Sequence, residues 1–233
     1  MTECPKCGEA VTGGSIECSH CGVVFEKLER RLAEATAPAP IVEPVAEKPA
    51  RDLAAGALAG FVWWGRAVFL FLLVLWTWSF ARVPMGPAVM SSFLHLPDLV
   101  FHEAGHVIFS PFGRFLAVLG GSLFQCLVPA IIAGAFVRER QWFSAAVGAW
   151  WTGQNLLDVA PYIADARALR LVLLGGKTGA EVEGHDWEYL LTALGWTHFD
   201  RTIGLWTHRL GLLLMVASLI FAAVTLFRKD EPN

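Results

Sequence analysis

Charge is scarce in this chain. Asp, Glu, Lys and Arg supply 17% of its 233 residues, against about 25% in an ordinary soluble domain. The formal charge of −3 shows no basic excess, which excludes a nucleic-acid binder working through bulk positive charge. A basic start followed by an apolar core is also missing, so no secretory signal peptide is expected, and the cysteines are expected in a reducing, cytosolic setting. No internal repeat is visible. What fills the chain instead is apolar: 55% of residues are hydrophobic and the mean hydropathy is +0.50. The fold class expected is mainly α, a polytopic helical bundle of four to five membrane segments carrying a small N-terminal zinc ribbon. The competing reading is a very apolar soluble bundle.

The apolar residues are unevenly spread. Residues 1–31 are polar and hold four of the five cysteines. Residues 32–56 are rich in Ala, Pro and Glu and read as a semi-extended linker, because such a stretch buries too little apolar surface to offset its ordering entropy. All ten tryptophans and fifteen of the sixteen phenylalanines follow, in residues 57–233. At about 20 apolar residues per spanning helix, segments are expected near 60–81, 96–112, 115–137, 142–163 and 210–227. The third carries no charge. Residues 165–201 are more polar and read as an extramembrane connection with short helical pieces. With a cytosolic N-terminus, the positive-inside tendency favours a re-entrant second segment, which puts Arg138, Arg140, Arg228 and Lys229 on the cytosolic side.

Cys4-x-x-Cys7 and Cys18-x-x-Cys21 form two knuckles ten residues apart. Four soft thiolates suit a closed tetrahedral zinc site, and a segment this small would draw its folding energy from the metal. Two disulfides or redox-active thiols are the alternatives. The segment resembles the zinc ribbons fused to bacterial membrane proteins, which implies a module for docking a cytosolic protein partner or for regulation. Cys126 reads as a small buried hydrophobe.

The main chemical feature is His102-Glu103-Ala104-Gly105-His106, an HExxH pattern. On a helix, positions i and i+4 share a face, so both imidazoles can reach one zinc ion. Glu103 is then placed to take a proton from zinc-activated water as general base. Three ionisable side chains within five residues at membrane depth read as functional; hydrogen-bonded interfacial histidines are the plainer reading. A catalytic zinc needs a third protein ligand. Asp158, Asp165, His185 and Asp186 are the candidates, and composition does not choose among them. His95, His198 and His208 read as interfacial or satisfied polar residues.

The HExxH pattern and the stretch Asn155-Leu-Leu-Asp158-Val-Ala-Pro161-Tyr-Ile-Ala-Asp165 resemble the site-2 protease family of intramembrane zinc metalloproteases. That resemblance implies hydrolysis of peptide bonds in or near membrane-spanning segments of protein substrates. It implies Asp165 as third ligand, ahead of Asp158, and Asn155 as a substrate-positioning group. The spacing differs from the family's, with Asp165 about two residues late. Gly120-Gly121 resembles a glycine element beside the family's active site, with close helix packing as the alternative. The expected cofactors are one catalytic and one structural Zn2+. The expected setting is a bacterial inner membrane with the ribbon in the cytosol. The competing function is a non-catalytic zinc-binding membrane scaffold or sensor whose ribbon docks a cytosolic partner. A protease with Glu as third ligand is weaker, because Glu181, Glu183 and Glu188 all lie in the polar connection.

Overall fold

A computed structural model describes residues 2–36 and 48–228. It divides into two compact units, Met1–Gly56 and Ala57–Asn233.

The first unit opens with a two-stranded antiparallel hairpin, β1 (Thr2–Glu3) and β2 (Ala10–Val11). Each CxxC knuckle closes on a backbone bond, Gly8 N–H to the Cys4 carbonyl and Gly22 N–H to the Cys18 carbonyl. The buried centre consists of Cys4, Val11 and Cys18, with Cys21, Val23 and Phe25 against it. Helix α1 (Phe25–Thr36) buries none of its residues.

The expected linker 32–56 is helical at both ends. Residues 32–36 continue α1 and residues 48–56 open α2 (Lys48–Ala81). Ala, Leu, Glu and Arg are strong helix formers, and Pro49 falls in the first turn of α2, where its missing N–H costs nothing. Residues 37–47 of the expected linker lie outside the described residues.

The second unit is helical. After α2 come the short α3 (Pro87–Met90), then α4 (His95–Phe109), α5 (Arg114–Arg138) and α6 (Trp142–Ala164). The polar connection holds α7 (Asp186–Ala193), and α8 (Asp200–Phe227) follows. Among the described residues, three helical stretches are long and apolar enough to cross a membrane: Ala54–Ala81, Arg114–Arg138 and Thr197–Phe227. Their outer faces are apolar: Phe61 is 77% exposed, Ile131 63% and Leu213 66%. Such surface needs a bilayer or a partner to cover it, and together with the three helices it marks a membrane protein.

Two of the expected segments have a different character. At 15 residues, α4 is about 22 Å long, short of the roughly 30 Å hydrocarbon core. Helix α6 has 23 residues, but its buried face carries Gln154, Asn155 and Asp158. It is the central helix, packed along α8 and against α5, while α4 packs on α5. Small residues set the α6–α8 distance: a Cβ on Gly153 would lie 2.8 Å from the Gly211 carbonyl, and one on Gly204 2.7 Å from the Ala160 carbonyl. Backbones this close are how helices gain packing without a hydrophobic drive between them. Leu73 and Phe80 of α2 join Trp150, Leu157 and Met215 in one core cluster. Trp150 Nε1–H, buried there, donates to Thr77 Oγ1 at 2.7 Å.

Candidate metal centre

Two groups of ligand-type side chains occur among the described residues: Cys4, Cys7, Cys18 and Cys21, and His102, His106 and Asp186. Within each group the ligand atoms lie within 4.8 Å of one another, and each group can hold a metal ion. In the first, Cys4 Sγ is 3.9 Å from Cys21 Sγ and Cys7 Sγ is 3.8 Å from Cys18 Sγ. Four thiolates at about 2.3 Å from a tetrahedral ion sit about 3.8 Å apart, so the cluster fits a single metal.

The second group is assembled from two elements, α4 and α7. His102 and His106, one turn apart on α4, present their rings 4.9 Å apart between centroids. The His102 Nδ1 lies 3.0 Å from Gln125 Oε1 on α5, and the His106 Nδ1 lies 2.9 Å from the Ala117 carbonyl. Both Nδ1 atoms thus face fixed acceptors, and the Nε2 atom of each ring faces Asp186. Ligating histidines are held in this way, the far nitrogen donating to a fixed acceptor. Asp186 Oδ2 sits 2.9 Å from His102 Nε2 and 3.2 Å from His106 Nε2.

Gly121 of α5 leaves room at the same point. A Cβ there would fall 2.6 Å from the Nε2 atoms of both histidines, so any larger residue would push into the ligand atoms. The neighbouring Gly120 serves packing: its Cβ would meet the Gly105 carbonyl at 2.7 Å, where α5 crosses α4.

Asp186 reaches the rings because α7 is fixed locally. Gly184 adopts φ +120°, a conformation other residues resist, and turns the chain into the helix. His185 caps α7, its Nδ1 accepting from Glu188 N–H at 3.2 Å. Asp186 N–H donates to the Tyr162 hydroxyl of α6 at 2.9 Å, and Trp187 Nε1–H donates to Ser122 Oγ of α5 at 3.0 Å. The Arg114 guanidinium stacks 4.6 Å from the Tyr189 ring centroid. Burial alone would raise the Asp186 carboxyl, but its contacts with His102 and His106 outweigh it and hold the group below its ordinary value.

Asp165, the expected third ligand, is elsewhere. Its Oδ1 accepts from Arg170 N–H at 3.1 Å and its Oδ2 from Leu171 N–H at 2.8 Å. His185 Nε2 lies 3.5 Å away. The C-terminal end of α6 turns into the connection at Asp165, so its carboxylate ties down the loop it starts instead of facing the rings. Asp158 also misses the group; it accepts from Gln125 Nε2–H at 2.9 Å and lies 2.9 Å from His95 Nδ1. Asn155 is fully buried and donates through Nδ2 to the Trp151 carbonyl within its own helix at 3.0 Å. It does not line the cavity in front of the histidines.

That cavity has a volume of about 600 Å³. His102, His106 and Asp186 line it together with Glu103, Tyr162 and residues 171–175. Glu103 is exposed to this space and takes no part in the three-residue group. No protein-family model, curated protein or solved structure matches the chain.

Proposed function

We propose that the chain is an intramembrane zinc metalloprotease whose catalytic ion is held by His102, His106 and Asp186. The observation that carries the reading is the convergence of two Nε2 atoms and one carboxylate oxygen beside Glu103, at the wall of a cavity. Three protein ligands, two imidazoles and one carboxylate, leave a fourth position open, as hydrolytic zinc sites do. Zinc bound there supplies a Lewis acid that polarises a carbonyl and makes water acidic near neutral pH.

The protein's own contribution is positional. Glu103 follows the first ligand directly on α4, and its exposed carboxylate accepts the proton of the attacking water. It then delivers that proton to the amine as the C–N bond breaks. The HExxH resemblance to site-2 proteases supports this reading. The third ligand departs from that family's pattern, since Asp186 comes from a short helix in the polar connection. Helix α4, too short to cross, suits a re-entrant segment; with a cytosolic N-terminus, the basic end of α5 would then face the cytosol. The protein substrates would be membrane proteins, and the ribbon, with a structural Zn2+, would dock a cytosolic partner.

Purified protein carrying Glu103→Gln is expected to keep two zinc ions per chain and to lose cleavage of a membrane-spanning test substrate. Cleavage at the wild-type rate would refute the assignment. A scaffold or sensor role would show instead as one ion per chain, bound by the ribbon cysteines alone.

A further inference from the structure

The HExxH chemistry uses the ligands and Glu103, and leaves a buried polar chain behind them without a role. From His102 the chain runs outward through Gln125 and Asp158 to His95, with successive separations of 3.0, 2.9 and 2.9 Å. Gln125 is 2% exposed and Asp158 3%. Three helices contribute, α4 at both ends, α5 and α6. Placing an amide and a carboxylate here costs desolvation, so their arrangement calls for a reason beyond filling space.

We propose that Asp158 and Gln125 are positioning residues that set the tautomer of His102, so that its Nε2 always faces the metal as a lone pair. The inference rests on the metal-site reading above. Its logic is directional. A carboxylate only accepts, so the Gln125 atom facing Asp158 must be the NH2 group. The amide's other end, Oε1, is thereby turned toward His102, and an oxygen there requires a proton on Nδ1. A neutral imidazole with its proton on Nδ1 carries its lone pair on Nε2. His95 completes the chain: its Nδ1 lies 2.9 and 3.0 Å from the two Asp158 oxygens, and it holds the carboxylate in place from the cavity side. Without Asp158 the amide is free to turn over. Its NH2 would then face Nδ1, favour the opposite tautomer and put a proton where the metal binds.

The test is zinc affinity by chelator competition on the full chain in detergent, with the ribbon's ion as internal reference. Gln125→Leu is expected to weaken the membrane-unit ion by about 10- to 100-fold, the usual effect of removing an outer partner of a ligating histidine, while the ribbon ion is unchanged. A swapped pair keeps the test decisive if that variant misfolds. Gln125→Glu alone sets two carboxylates face to face, and Asp158→Asn alone removes the directing acceptor; each is expected to weaken binding. The double variant Gln125→Glu/Asp158→Asn restores a donor facing an acceptor and is expected to recover affinity. A purely structural role predicts no such recovery, because either single change keeps shape and volume. The proposal is overturned if the double variant binds no better than the singles. It is overturned as well if Gln125→Leu binds as tightly as the wild type while His102→Ala releases one ion. If His102→Ala itself releases nothing, the metal-site reading fails along with it.

Discussion

Asp165 and Asp186 are carboxylates of the same polar connection, and the structure gives them different work. Asp186 points at two imidazoles; Asp165 caps two backbone N–H groups at the start of the loop. Their substitutions therefore separate. On the proposed zinc reading, Asp186→Ala is expected to release the membrane-unit ion, read as one ion per chain in place of two. Asp165→Asn is expected to keep both ions and lower stability by about 1–3 kcal/mol, the range for a hydrogen-bonded buried charge, read by denaturant unfolding in detergent. Gly121 gives a third measurement on the same ion. With its Cβ 2.6 Å from both Nε2 atoms, Gly121→Ala is expected to abolish zinc binding there, and undiminished affinity would show that the ion sits elsewhere. Local spacing made His102, Glu103, His106 and the four ribbon cysteines readable directly, because a helical turn or a knuckle brings neighbours in sequence together. Asp186 is 84 residues from His102, and only the tertiary path of the connection brings it back.

That path depends on α7, a helix of eight residues too short to hold itself in place. Its position is set by three side-chain anchors on α5 and α6: Ser122 for Trp187, Tyr162 for the Asp186 backbone and Arg114 for Tyr189. The stretch Gly184-His185-Asp186-Trp187 carries signals for this, namely a left-handed glycine, a cap, an acidic first turn and an aromatic anchor. These signals say that a helix starts, not which surface it docks on, and that surface exists only once α4, α5 and α6 are packed. Trp187→Phe keeps an aromatic ring and removes the 3.0 Å bond to Ser122. It is expected to weaken zinc binding several-fold while costing the zinc-free protein only about 1 kcal/mol. Equal zinc affinity in the variant would mean that burial of the ring alone seats α7. The helical ends of the 32–56 stretch were not legible for a related reason. Composition marked 32–56 as unable to form a core, but a helix needs no core of its own when its flanks are already helical.

The two units differ in what keeps each folded, and this gives a prediction for the molecule as a whole. In Ala57–Asn233, buried apolar side chains from α2, α6 and α8 form continuous clusters, so helix packing persists without any ion. In Met1–Gly56 three of the six residues of the central cluster are ligand cysteines. If a metal is held there, its removal would take away the core, because free thiolates gathered at 3.8–3.9 Å repel one another and little apolar area remains. Stripping both ions with a strong chelator is therefore expected to split the molecule's response. Amide protons of residues 3–25 should exchange at the rate of an unfolded chain, while those in the middle of α6 and α8 stay protected. Cys4→Ser with Cys7→Ser should reproduce the first effect alone and leave the ion on His102, His106 and Asp186 in place. Retained protection of 3–25 after complete metal removal would show that the hairpin and knuckles are held by something other than an ion, and the zinc reading of the ribbon would fall.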